Sequence, residues 1–243
     1  MLLTCIRMEQ KKLRHSHLWL VFLAIPIIPA FMGGGNYLQN QGVLKAEWYS
    51  LWTQCSLFYS SFFYAPLIAL YCSYIWRLEH LNHNWNQLMT LPVPVTDVYL
   101  SKLCLAVGCT LFLQAWMWVL FVITGKAVGL PGLPPAQILF WLFRGGVGGM
   151  GIAALQLTLS MIIRSFAVPI ALALMGSVLG MLASNGGLGF FWPYSLMTMG
   201  MNSSRTEDAV RNLAGFGLSL TVFFVFFAAL GVGYLKKTDI RSA

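Results

Sequence analysis

Charge is what this sequence has least of. Only 9 % of its 243 residues are Asp, Glu, Lys or Arg and just seven are acidic, against 58 % apolar residues and a mean hydropathy of +0.72. A soluble domain needs a polar shell, and too little polar surface exists here to make one, so lipid is the natural solvent. A helix crossing a ~30 Å hydrocarbon core takes about 20 residues. The apolar runs consume nearly the whole chain and leave no room for a soluble catalytic domain. Other absences narrow the field further. There is no Gly-x-x-x-x-Gly-Lys-Ser/Thr loop, since Gly125-Lys126-Ala127 lacks both the first glycine and the hydroxyl, so this chain does not hydrolyse a nucleotide. No His-Glu-x-x-His, no Gly-x-Ser-x-Gly and no carboxylate within an apolar run occur, which argues against intramembrane hydrolysis and proton-coupled carriage. The chain therefore reads as no enzyme. Cys5, Cys55, Cys72, Cys104 and Cys109 are an odd set, mostly in or beside apolar stretches, and read as small core residues rather than a disulfide framework. His80 and His83 lack the further ligands a metal site needs and read as a solvated face.

What charge there is has a pattern. The net +8 sits at the ends of apolar segments rather than on one interleaved surface, which speaks for membrane orientation and against nucleic acid. The apolar runs are Leu18–Gly35, Leu51–Trp76, Val98–Gly125, Ile138–Ile163, Ala167–Ser184 and Leu213–Leu235. Backbone amides in lipid must be paired internally, so these are helices and the fold class is all-α, a polytopic membrane protein with six transmembrane helices. Arg7, Lys11, Lys12, Arg14, Arg77, Lys102, Arg164, Lys236, Lys237 and Arg241 fall on one side, and Lys45, Lys126, Arg205 and Arg211 on the other. The positive-inside rule then puts both termini in the cytoplasm. The first run is expected to be a retained helix kinked by Pro26 and Pro29, not a cleaved leader. No repeat or second domain is visible, so 1–243 is one unit.

Two segments outside the spans are amphipathic. Residues 1–17 place Leu2, Leu3, Ile6 and Leu13 toward one side and Arg7, Glu9, Lys11, Lys12 and Arg14 largely on the other, as in a helix lying in the cytoplasmic interface against anionic lipid, or as an ordinary anchor. In the 77–97 loop, Leu78, Leu81, Trp85, Leu88 and Met89 recur at three- and four-residue steps until Pro92 and Pro94 stop the helix. Such a stripe needs a partner, and periodicity does not choose among bilayer, helix ends and a soluble protein.

Glu79 and Trp85, followed by Leu88-Met89-Thr90-Leu91-Pro92-Val93-Pro94 and Tyr99-Leu100-Ser101-Lys102, resemble the first cytoplasmic loop of ABC-2 permeases. Met8-Glu9-Gln10-Lys11-Lys12-Leu13 is similar to the Glu-x-x-Lys start of that family, with Glu9 and Lys12 in the matching positions of the interfacial helix. Within the family the chain looks closest to the small permeases that protect bacteria against lantibiotics and bacitracin-like peptides. The resemblance implies a multi-pass protein of the bacterial cytoplasmic membrane, working with a separate ATP-binding subunit in two copies and a second permease, identical or related. ATP and Mg²⁺ would be held by that ATPase and no cofactor by this chain. A coupling helix between the second and third spans would seat in the ATPase, with Arg77 and Glu79 as polar contacts, Leu81, Trp85 and Leu88 as the apolar seat and Pro92 as its stop.

Arg144 lies several residues inside the fourth run, where an arginine costs about 2.5–3.5 kcal/mol at a helix centre. It either faces protein or water, where a salt bridge within the chain would come from a loop such as that of Glu207 and Asp208, or snorkels to the interface. Gly145, Gly146, Gly148, Gly149 and Gly151, with Gly176 and Gly180, form smooth surfaces for close helix packing or for a substrate groove. Phe190-Phe191-Trp192-Pro193-Tyr194 reads as an aromatic belt, or, by the same resemblance, as part of a re-entrant hairpin over 185–211 that caps a translocation path. Arg144, Phe191 and Trp192 are then substrate-path candidates. The function implied is the permease of an exporter that moves or expels an amphiphilic substrate, a peptide antibiotic first of all; the alternatives are another lipid-like substrate, or a membrane sensor or assembly factor that transports nothing.

Overall fold

The computed structural model describes residues 1–13, 16–81, 93–203, 205–208, 210 and 212–237. Among these the chain is helical and contains no strand, and proline supplies much of the punctuation. Helix α1 (Leu2–Leu13) precedes the first span, which is divided into α2 (Leu18–Ala24) and α3 (Ile27–Gln39). Pro26 caps α3 and Pro29 falls in its first turn, where an amide has no intrahelical partner to lose, so the two prolines bend the span without ending it.

The second span joins α4 (Glu47–Phe58) to α5 (Tyr64–His80) through a π-helical turn over Tyr59–Phe63. Pro66 accounts for that turn. It has no N–H to offer the Phe62 carbonyl and its ring crowds that oxygen, so the preceding turn opens and the Tyr64 N–H reaches back five residues to Tyr59. Helix α6 (Val95–Ala127) starts after Pro94 and α7 (Ala136–Ile162) after Pro135. Pro169 lies in the first turn of α8 (Ala167–Asn185), Pro193 opens the short α9 (Pro193–Gly200), and α10 (Leu213–Lys237) is the sixth span.

Among the described residues, six stretches are long and apolar enough to cross a membrane: Leu18–Gln39, Glu47–His80, Val95–Ala127, Ala136–Ile162, Ala167–Asn185 and Leu213–Lys237. They match the expected runs to within a few residues at each end. Helix α1, the end of α5, the start of α6 and the start of α8 share one end of the bundle, where the Arg77 guanidinium lies 5.4 Å over the Phe166 ring. At the other end, Trp48 donates to the Pro131 carbonyl (2.8 Å) and Trp52 to that of Met201 (2.7 Å).

Helix α7 is the hub, packed on α5, α6, α9 and α10. Its glycines permit this. A Cβ at Gly148 would stand 2.8 Å from the Leu196 carbonyl oxygen, and one at Gly180 on α8 would stand 2.9 Å from the Ser195 nitrogen. Helix α9 is thereby wedged between α7 and α8, so these glycine faces are used for packing within the chain. Helix α10 lies at the edge, with only 6 % of its most apolar stretch buried, held by Gly231 against the Tyr99 ring and by a Thr158 hydroxyl donating to the Phe227 carbonyl (3.0 Å).

Candidate functional site

Helix α1 turns Leu2, Cys5, Ile6, Glu9 and Leu13 inward, while Leu3 is 73 % exposed. Glu9 thus belongs to the inner face and Leu3 to the outer, the reverse of the wheel drawn from hydrophobicity. The cause is Lys102, two turns into α6 and completely buried. Its ammonium donates to Glu9 Oε2 at 2.6 Å and to Glu79 Oε1 at 2.8 Å. Lys12 donates to the same two carboxylates, to Glu9 Oε1 at 2.8 Å and Glu79 Oε1 at 2.5 Å. The Trp76 ring lies 5.2 Å from the Lys102 nitrogen.

Two carboxylates and two ammonium groups make a neutral quartet, and buried charge is tolerable only when paired in this way. Burial opposes the charge on Lys12, but its hydrogen bonds to Glu79 and Glu9 outweigh that and hold its pKa above the usual 10.5. The quartet ties three elements, α1, α5 and α6, at the root of the 77–97 loop. In the sequence Lys102 counts among the orientation charges and closes the Tyr99-Leu100-Ser101-Lys102 stretch of the family resemblance, but nothing there pairs it with Glu79 or Glu9. The signal that could have singled it out is a lysine inside a span that follows a glutamate at the end of the preceding one.

Of the two residues expected as polar contacts to an ATPase, Arg77 is at the surface and Glu79, 2 % exposed, is turned into the chain. Leu81 ends α5 in an extended conformation and is 47 % exposed. Trp85, Leu88 and Pro92, with the rest of the expected coupling helix, lie outside the described residues.

Arg144 is buried at the opposite end, and its guanidinium takes Asp208 with both forks, Nη1 to Oδ2 at 3.1 Å and Nη2 to Oδ1 at 2.8 Å. Its Nε donates to the Gly200 carbonyl at 3.0 Å, Trp141 donates to Asp208 Oδ2 at 3.3 Å, and Asp208 Oδ1 accepts the Val210 N–H at 3.0 Å. The desolvation of Asp208 is outweighed by these bonds, the one from Arg144 foremost, and its pKa lies below the usual 3.8. Arg144 therefore pins the end of α9 and the segment after it to α7. Phe191 is 79 % exposed, and the Trp192 indole donates to the Gly176 carbonyl at 2.9 Å, so the three substrate-path candidates do not form one cluster. Among the described residues no group of His, Cys, Asp and Glu could hold a metal ion.

A sequence profile described as ABC-2 family transporter protein matches residues 5–180, which takes in all four residues of the quartet, Arg144 and the spans as far as α8. No curated protein and no solved structure matches the chain.

Proposed function

The chain belongs to the ABC-2 transporter family, and on that premise we propose that it is the permease of an exporter that moves, or expels from the membrane, an amphiphilic substrate, with lantibiotic- or bacitracin-like peptides as the first candidates. Members of the family are the membrane-spanning components of ABC transporters and associate with ATP-binding subunits. The six apolar helices agree with a multi-pass membrane protein. In our reading the quartet end is cytoplasmic, as the charge bias requires, and two ATPase subunits hold ATP and Mg²⁺ against two permeases.

The observation that carries the coupling part of this reading is the quartet. A loop that receives mechanical work needs a stiff connection to the spans, and Lys102 and Glu79 give it one on each side while Glu9 and Lys12 bind α1 to both. Leu81, Trp85 and Leu88 would seat in the ATPase, Arg77 would contact it at the surface, and Glu79 would act inside the permease. At the outer end, α9 and the Phe191–Trp192 pair would form the re-entrant cap, anchored by Arg144.

The test is reconstitution with the ATP-binding subunit that co-purifies with it, in lipid, with ATP hydrolysis measured with and without a lantibiotic. Stimulated hydrolysis and peptide movement are expected in the wild type and are lost in Trp85→Asp, because a charge driven into an apolar seat costs several kcal/mol. A Trp85→Asp complex that still assembles and still shows stimulated hydrolysis overturns the seat. A wild-type complex that hydrolyses ATP but moves no amphiphile replaces transport by sensing.

A further inference from the structure

The ends of α8 and α9 enclose a small pocket at the Arg144 end of the bundle, lined by Ser184, Asn185, Thr198, Met199, Asn202, Ser203 and Arg205, with a volume of ≈ 50 Å³. We propose that it binds the anionic head group, carboxylate or phosphate, of an amphiphile at the outer membrane surface. The inference goes beyond the transport reading and stands without it.

Three observations converge on this ligand. Apart from Met199 the lining residues carry polar side chains and none is a carboxylate, and Arg205, exposed and without an ion pair among the described residues, is their one full charge. Thr198 Oγ1 and Ser203 Oγ are buried and have no hydrogen-bond partner, and both residues line the pocket, so ligand oxygens would offset a standing cost there. The frame is rigid before any ligand arrives. Asn202 sits in the left-handed region at φ 55°, which an asparagine tolerates, and its side-chain amide donates to the Arg205 carbonyl at 2.9 Å and the Glu207 carbonyl at 2.8 Å. Arg144 holds the same turn from below through the Gly200 carbonyl.

Helix C-termini repel anions, yet here several of the terminal carbonyls are engaged. Leu182 and Ala183 accept the N–H groups of Gly186 and Leu188, and Thr198 and Met199 accept those of Ser203 and Asn202. Arg205 is left to set the sign of the site. Glu207 lies in the same segment without lining the pocket, and Asp208 is neutralised by Arg144. The volume admits one head group and leaves an acyl or apolar tail outside, beside the exposed Leu182 and Leu188.

Binding is measured by calorimetric titration of the purified chain in maltoside micelles, with dodecyl phosphate, inorganic phosphate and dodecyltrimethylammonium as probes. Saturable binding of dodecyl phosphate, at least tenfold weaker in Arg205→Gln and partly restored in Arg205→Lys, is the expected result. Thr198→Val combined with Ser203→Ala should weaken it several-fold with an unchanged melting temperature. Competition by inorganic phosphate assigns the site to soluble anions as well as amphiphiles, and its failure to compete assigns it to amphiphiles alone. Equal binding of dodecyltrimethylammonium, or an Arg205→Gln variant that binds like the wild type, overturns the proposal. Neither result touches the ATPase-coupled assay, which reports on transport separately.

Discussion

Replacing Lys102 by methionine removes the buried cation and keeps the apolar stem, so the charge of the quartet changes while its volume hardly does. Glu9 and Glu79 are then left facing Lys12 alone, whose side chain is 36 % exposed. One of the two acids must protonate or the helices must part. Protonating a carboxylate of ordinary pKa ~4.3 at pH 7 costs about 3.7 kcal/mol, at ~1.36 kcal/mol per unit. Removing one partner of a buried pair costs about 3–5 kcal/mol by experience with other proteins, which agrees. The cheaper outcome is release of α1, and a bias near 3 kcal/mol shifts that equilibrium by roughly a hundredfold. Cys5, part-buried on the inner face of α1, reports it when the other four cysteines are replaced by alanine. Its labelling by a maleimide in inverted vesicles should accelerate by one to two orders of magnitude in Lys102→Met and return close to the starting rate in Lys102→Met with Glu79→Gln, where one acid and one base remain. Unchanged labelling in the single variant, or a double variant as open as the single, refutes the quartet as the tie.

Arg144→Leu should insert normally but free the segment after α9, seen as faster hydrogen exchange over residues 199–208; exchange equal to the wild type would reduce Arg144 to a bystander. Because the folded-state pKa of Asp208 is lowered, its contribution is fully present above the unfolded value near 3.8 and is lost as pH falls through the still lower folded value. Protection of that segment should therefore be level between about pH 5 and 8 and fail only below about pH 4, and a loss centred near pH 6 would contradict the assignment. Gly148→Ala should destabilise the purified chain by about 1–3 kcal/mol, since the added methyl meets the Leu196 carbonyl, whereas Gly217→Ala, with open space around it, should not; equal melting temperatures would refute the wedge.

The spans were legible because twenty-residue apolar runs have few alternatives in lipid, and the loop of Glu207 and Asp208 could be named as a partner for Arg144 because no expected span holds an acid and that loop is the nearest acidic one expected at its end of the bundle. The quartet was not. Its members are 67 to 93 residues apart across the Lys12–Glu79 and Glu9–Lys102 contacts, and a helical wheel assigns every glutamate to the wet face until a buried lysine is found opposite. The α9 pocket was also hidden. Thr198 and Ser203 are unremarkable in sequence, and only the fold leaves their hydroxyls without partners.

An α-helix advances about 100° per residue, so the one additional residue taken up by the π turn sets the two halves of the second span out of phase by roughly that angle. Helix α4 meets α3, and α5 meets α7 and α8. Trp52 reaches the Met201 carbonyl from one half and Glu79 reaches Lys102 from the other. Deleting a single residue within 59–63 would bring the halves into phase, and then only one of those two contacts could be kept. Pro66 thus fixes the rotational setting between the two ends of the molecule, as an indexing pin sets one wheel against another on a common shaft.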